Sequence, residues 1–208
     1  MIAVVDYGVG NLFSLCSSLR YIGAESCVTS DPVVLRQADK IILPGVGAFA
    51  DAAEKLRQSG LTDLLCREAE RGKEIMGICL GMQLLFEKSF EYGEHRGLGL
   101  LRGEVIPMEG YLPPELKIPH IGWNALHIRR AHPLLSRVKE GDCVYFVHSY
   151  FATGCEESVI ATAEYGRELT AAVAKDNICG CQFHPEKSGE VGLNILRSFC
   201  AGNSAPAV

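Results

Sequence analysis

The segment Gly77-Ile78-Cys79-Leu80-Gly81 holds the residue types best suited to covalent chemistry. A cysteine with a glycine two positions to either side, placed where an apolar strand pattern meets a helical one, has the form of a nucleophile elbow with Cys in place of Ser. The glycines allow the cramped turn that lifts the side chain above a sheet edge. The helix that follows aims its free N–H groups at the thiol, which favours the thiolate and offers a donor to a developing oxyanion. Taken alone, the motif also fits a buried core cysteine beside two packing glycines.

A thiolate nucleophile needs a proton-transfer partner, and Cys181-Gln182-Phe183-His184-Pro185-Glu186 supplies one. His184 falls where a strand pattern ends, and Glu186 is placed to orient its ring and stabilise the imidazolium. The reactive ends of parallel strands collect on one edge of an open α/β sheet, so Cys79 and His184 can meet there. The acid follows the histidine in the chain, the reverse of the α/β-hydrolase order. A third segment, Pro44-Gly45-Val46-Gly47-Ala48, ends another apolar run and exposes backbone N–H groups for an oxyanion; a plain turn has the same composition.

Other patterns are weaker. Gly8-Val9-Gly10 imitates a dinucleotide fingerprint, but Phe13 stands where the third glycine belongs, and there is no phosphate-loop Gly-Lys-Ser/Thr. Cys179, Cys181 and His184 lack zinc-knuckle spacing and a second ligand pair, so no metal and no cofactor is expected. His95, His127 and His132 have no evident companions and read as surface or structural. Trp123, the single tryptophan, lies in a Gly-flanked segment from which it could anchor a partner.

The elements that must position these groups alternate. Ile2 to Val5 is a buried-strand run, and Asn11 is a candidate N-cap for a helix through Ile22 that ends at Gly23. Strands are predicted over Glu25 to Thr29, Lys40 to Leu43 and Glu74 to Ile78. Helices are predicted from Asp31-Pro32, over Phe49 to Gln58 and Thr62 to Arg71, and from Leu80 to Lys88. Short runs at Val144 to Phe146, Val159 to Ala163 and Ala171 to Ala174 read as antiparallel strands added to the sheet, before a last strand, Ile178 to Phe183, and a last helix, Gly189 to Cys200. The fold class is therefore α/β, an open, mainly parallel twisted sheet with helices on both faces and additional antiparallel strands. Residues 1–200 read as one domain and 201–208 as a frayed tail.

Composition narrows the function. The 208 residues are 48% hydrophobic and 22% charged, with 20 Lys and Arg against 25 Asp and Glu, and carry a net charge of −5. No basic stripe is present, which argues against a nucleic-acid partner. The mixed-sign cluster Arg67 to Lys73 reads as a solvated helix face. Neither a signal peptide nor an apolar stretch of about 20 residues is seen, so no membrane association and a cytoplasmic location are expected. Nine cysteines without framework spacing read mostly as buried small hydrophobes in a reducing compartment.

Six segments in order resemble the class I (triad) glutamine amidotransferases. Gly77 to Gln83 and His184-Pro185-Glu186 are similar to the general signature of that family. Asp6 to Asn11, Pro44 to Phe49, Pro119 to Asn124 and Phe146 to Tyr150 resemble its branch serving imidazole glycerol phosphate synthase. The resemblance implies that Cys79 attacks the side-chain amide of glutamine, that His184 protonates the departing ammonia and that Glu186 orients His184. It also implies an oxyanion hole from Leu80 N–H and a backbone N–H of Gly45, Val46 or Gly47, the latter group requiring a peptide rearrangement that makes activity conditional. Gln83, Gly47, Ser149 and Tyr150 would hold the glutamine. The implied partner is a (β/α)8 barrel cyclase subunit, forming a heterodimer, that uses the ammonia to make imidazole glycerol phosphate and AICAR in histidine biosynthesis. Asn11, Trp123, Lys187 and Ser188 are the interface candidates. A glutaminase of an anthranilate or aminodeoxychorismate synthase, or a non-catalytic regulatory subunit, are the alternatives.

Overall fold

The computed structural model describes residues 1–201. The first half alternates as expected: β1 (Ile2–Val5), α1 (Leu12–Tyr21), β2 (Ser26–Thr29), α2 (Pro32–Gln37), β3 (Lys40–Leu43), α3 (Phe49–Gln58), α4 (Leu61–Glu70), β4 (Glu74–Ile78) and α5 (Leu80–Leu84). Short strands follow, β5 (Lys88–Ser89), β6 (His95–Arg96), β7 (Glu104–Pro107), β8 (His120–Ala125) and β9 (His127–Ile128). The chain closes with β10 (Cys143–His148), β11 (Tyr150–Thr153), β12 (Val159–Glu164), β13 (Glu168–Lys175), β14 (Ile178–Cys181) and α6 (Gly189–Ala201).

The main sheet has the order β2-β1-β3-β4-β14-β13-β12-β9. Its first five strands are parallel and the last three join antiparallel. Alternation along each strand divides the core: Ile2, Val4, Ile42 and Met76 face the layer that holds α1 and α6, whereas Ala3, Val5, Ile41 and Ile75 face the layer of α2 to α5. Such two-sided burial explains the unbroken apolar runs.

The structure departs from the sequence expectations at several points. Val144 to Phe146 is not an addition to the main sheet; β10 pairs only with β8 in a separate two-stranded sheet, and β11, β7, β5 and β6 form a third. The helix expected to reach Lys88 ends at Leu84, because the carbonyls of Leu84, Leu85, Phe86 and Glu87 accept from Leu98, Leu101, Gly99 and Gly97 instead of continuing a helix. Asn11 occupies the N-cap position of α1 but makes no side-chain cap bond, whereas Asp31 caps α2 through Val33 N–H.

The charged run on α4 is not wholly solvated. Glu68 is buried and paired with Arg71 at 2.7 Å and Lys73 at 2.9 Å, and Lys73 also donates to the C-terminal carbonyls of Leu35 and Arg36. Burial opposes the Glu68 carboxylate, but these cations hold its pKa below the ordinary value. Of the nine cysteines, Cys79, Cys155, Cys179 and Cys181 are buried and Cys143 is exposed on the rim of β10; the other four are half-buried. All are free thiols. Of the expected tail, Ala201 is the last residue of α6 and the remainder lies outside the described residues. Among the described residues no helix is long and apolar enough to cross a membrane.

Candidate active site

Three adjacent parallel strands, β3, β4 and β14, end side by side and deliver the three chemical segments to one edge. Cys79 sits at φ +54 and ψ −113, a conformation that side chains rarely adopt and that marks a strained functional turn. Its glycine neighbours are sterically required. A Cβ on Gly81 would lie 1.8 Å from Leu43 O, and one on Gly77 would lie 2.6 Å from Gly81 O and from Met82 Cα. Close packing of α5 against β3 and β4 therefore creates the elbow.

His184 follows β14, and its Nδ1 lies 2.8 Å from Glu186 Oε1, both side chains being 3% exposed. Burial works against charge on this ring, but hydrogen bonds to Cys79 and Glu186 prevail and raise its pKa to about 9. Histidine is thus held as an imidazolium at neutral pH beside the sulfur, ready to give up a proton. Cys179 and Cys181 lie behind the elbow on β14; burial raises the first to about 12 and the second well above the ordinary thiol value, so both stay protonated.

The Gly45 to Gly47 segment runs past the elbow. A Cβ on Gly45 would lie 2.8 Å from Gly81 N, and the buried Tyr7 hydroxyl donates to Pro44 O at 2.7 Å, which pins the start of the segment. A cleft of about 510 Å3 opens over Cys79, His184, Leu80, Gly47, Gln83 and Ser149. Tyr150 also lines it, so every residue expected to hold a substrate borders this one cavity.

Sequence reasoning missed several of its neighbours. Gln182 Nε2 donates to Cys79 Sγ at 3.7 Å and its Oε1 accepts from Gln83 Nε2 at 2.9 Å. His148 lines the cleft wall, with burial pushing its pKa down to about 3. Glu91 lines it as well and accepts from Phe49 N–H at the start of α3 at 2.5 Å. Adjacent Tyr92 meets Tyr150 edge to face. Glu91 and Tyr92 lie in the loop between β5 and β6, and no pattern in the sequence marks them.

The interface candidates divide. Trp123 is 56% exposed and packs edge to face on Tyr145, over which Lys187 Nζ also lies at 5.9 Å. Asn11 is half-buried beside Pro44, Gly45 and Glu186. Ser188 is not a surface residue: it is buried, donates to His184 O at 2.6 Å and accepts from Tyr145 N–H at 2.9 Å, so its hydroxyl fixes the histidine loop from inside. Of the histidines set aside as surface or structural, His127 pairs with Glu140, His132 caps a short 3-10 turn and His95 lies half-buried on β6. No group of three metal-ligating side chains is assembled among the described residues.

Residues 3–202 match the family described as glutamine amidotransferase class-I. The chain is 50% identical over 200 residues to the imidazole glycerol phosphate synthase subunit HisH of Caldanaerobacter subterraneus subsp. tengcongensis, covering 96% of this chain and 97% of the relative. It is 50% identical over 198 residues to the protein of that description from Aquifex aeolicus, covering 94% of each. In fold it is similar to a solved glutamine amidotransferase, with a TM-score of 0.75 at 19% identity over 97% of this chain and 98% of that one. PurLQS from Thermotoga maritima gives 0.72 at 24% identity over 96% and 97%.

Proposed function

We propose a mechanism from one premise: the chain belongs to the class-I glutamine amidotransferase family, within it to the HisH subunits of imidazole glycerol phosphate synthase. The protein is a glutaminase subunit of that synthase. In our reading Cys79 thiolate attacks the side-chain amide carbon of glutamine. The negative charge that forms on the amide oxygen is received by Leu80 N–H and a backbone N–H of the Gly45 to Gly47 segment. Collapse breaks the C–N bond, and His184 gives its proton to the departing nitrogen, releasing ammonia and leaving a γ-glutamyl thioester. Water then attacks the thioester as His184 takes back a proton, and glutamate leaves.

The observation that carries this reading is the placement of one ring: His184 Nδ1 is bonded to Glu186 Oε1 at 2.8 Å, and the ring borders the same cleft as Cys79, whose proximity helps to raise its pKa. Gln83, Gly47, Ser149 and Tyr150 border the cleft from positions suited to the substrate's ends. Asn11, Trp123 and Lys187 are proposed to meet a (β/α)8 cyclase partner that receives the ammonia. Nine free thiols suit a reducing cytoplasm.

The experiment is glutamate release by wild type and Cys79→Ala, each alone and with the cyclase subunit carrying its nucleotide ligand. Release that is slow alone, rises with the loaded partner and vanishes on substitution supports the triad and the conditional oxyanion hole together. Release that persists in Cys79→Ala defeats the triad, and release equally fast without the partner defeats the conditional element.

A further inference from the structure

A row of side chains, buried at its two histidines and half-buried at Asn124, runs between two backbone carbonyls and takes no part in the mechanism above. His148 Nδ1 lies 2.8 Å from Tyr150 O, and His148 Nε2 lies 3.0 Å from His120 Nδ1. His120 Nε2 lies 2.8 Å from Asn124 Oδ1, and Asn124 Nδ2 donates to Glu164 O at 2.8 Å. His120 is 1% exposed and His148 6%.

A carbonyl oxygen only accepts, so each end of the row fixes a donor. Tyr150 O requires the hydrogen of His148 on Nδ1. Glu164 O requires the amide nitrogen of Asn124, which turns Oδ1 toward His120 and requires a hydrogen on His120 Nε2. Two neutral histidines then have no hydrogen left for the link between them, and His148 Nε2 faces His120 Nδ1 lone pair to lone pair. One additional proton completes all four links.

The surroundings select which ring carries it. The titratable neighbours of the pair are Tyr165 beyond β12, packed on His120, and His184, beyond His148. The His120 ring is stacked on Tyr165 at 4.1 Å and 17° and on Phe146 of β10 at 4.9 Å and 20°, and aromatic faces attract a cation. Burial opposes a charge on both rings and pulls both below the ordinary imidazole value; His148 has His184 and His120 as further opposition, whereas at His120 only the bond to Asn124 works the other way, so the charge falls there through the hydrogen-bond geometry and in spite of burial. The row also continues to the nucleophile. Tyr150 O accepts a second hydrogen bond, from Gln83 Nε2 at 3.2 Å, and Gln83 in turn holds the Gln182 amide that donates to Cys79 Sγ.

We propose that His120 is a positioning residue of the glutaminase: as an imidazolium bonded to both His148 and Asn124, it fixes Tyr150 O, and through Gln83 and Gln182 it fixes the N–H donor presented to Cys79. The proposal rests on the assignment of Cys79 as nucleophile. Its signature is a ring with both nitrogens protonated at pH 7, next to a neutral His148 with its hydrogen on Nδ1.

Ring-nitrogen NMR on the full chain with 15N-labelled histidine reads these states directly. His120→Phe and His184→Asn identify the two charged rings expected in wild type by loss of their signals. Asn124→Leu removes the acceptor at Nε2, so His120 can turn its single hydrogen to Nδ1 and reach His148 without an added proton; its signals should become those of a neutral ring. In the complex with the cyclase subunit, His120→Phe should lower kcat for glutamine hydrolysis about tenfold, as expected for a misplaced reacting group. Ammonia-dependent synthesis should be unchanged. A neutral His120 in wild type at pH 7, or an imidazolium that survives in Asn124→Leu, overturns the charge assignment. Full kcat in a folded His120→Phe overturns the positioning role, and if that variant does not fold, the wild-type and Asn124→Leu spectra still decide. Glutaminase activity in Cys79→Ala would instead remove the nucleophile reading beneath the proposal and leave the ring signals as they are.

Discussion

The backbone N–H of Cys79 donates to the carbonyl of Cys181 across 2.8 Å, so the strand that carries the nucleophile is clamped to the strand that carries His184 at the last residue before the two diverge. In this register Gly77 faces Gly180 and Ile78 faces Cys181. The two catalytic candidates are thus held by a rigid pair of strands, and the adjustable backbone lies in the Gly45 to Gly47 segment beside them.

Strain at Cys79 should be measurable apart from chemistry. Cys79→Ala and Cys79→Gly both remove the thiol and should both abolish glutamine-dependent activity while sparing ammonia-dependent synthesis. Only Ala keeps a Cβ at φ +54. Thermal or denaturant unfolding should find Cys79→Gly more stable than Cys79→Ala by roughly 1–3 kcal/mol. Equal stabilities would mean that the elbow is unstrained.

The alkaline limb of activity should report His184. Its pKa is raised to about 9, so the imidazolium persists below that pH and is lost above it. In the presence of the cyclase subunit, kcat for glutamine hydrolysis should hold up to about pH 9 and then fall. Glu186→Gln weakens one of the contacts that raise this value, which should move the limb to lower pH and reduce kcat up to roughly 100-fold. A limb at the same pH in the variant would remove Glu186 from that role.

Glu68 gives a stability prediction with a defined sign. Its folded pKa is lowered, so its contribution is complete above the unfolded carboxyl value and is lost as pH falls through the folded one. Removing the carboxylate strands Lys73 in a nearly buried position. Glu68→Gln should cost roughly 1.5–3 kcal/mol at neutral pH. Urea titrations at pH 7 and pH 4 should show this gap narrowing in acid, and a gap independent of pH would contradict the ion-pair account.

Trp123 and Ser188 should separate binding from folding. Trp123→Ala removes an exposed aromatic and should weaken cyclase binding by about 2 kcal/mol with little change in Tm. Ser188→Ala leaves Tyr145 N–H without its buried acceptor and removes one of the two hydrogen bonds to His184 O, which keeps the one from Lys187 N–H. That variant should lower Tm, and titration calorimetry on its folded form should return nearly the wild-type affinity.

Much of the fold was legible because its signals are local. The bounds of β3, α3 and β4 follow from apolar runs and helical periodicity, and the elbow, the Gly45 loop and the His184 turn each announce themselves by residue type. What was not legible depends on partners distant in sequence. The early end of α5 is imposed by donors between Gly97 and Leu101, and Gln182 and His148 gain their roles only from what the sheets set beside them. Ser188 misled for the same reason: a polar residue in a loop beside the site gives no sign that its hydroxyl is folded inward.

The place of β14 in the main sheet bears on how the protein is made. It is the final strand of the chain yet lies between β4 and β13, parallel to one and antiparallel to the other. A nascent chain emerging from the ribosome up to residue 175 therefore holds two halves of a sheet with facing unpaired edges, the state most exposed to aggregation and to chaperones. The same last stretch brings His184 and Glu186, so closure of the sheet and arrival of the proposed proton donor are one late event, and on that reading an unfinished polypeptide consumes no glutamine.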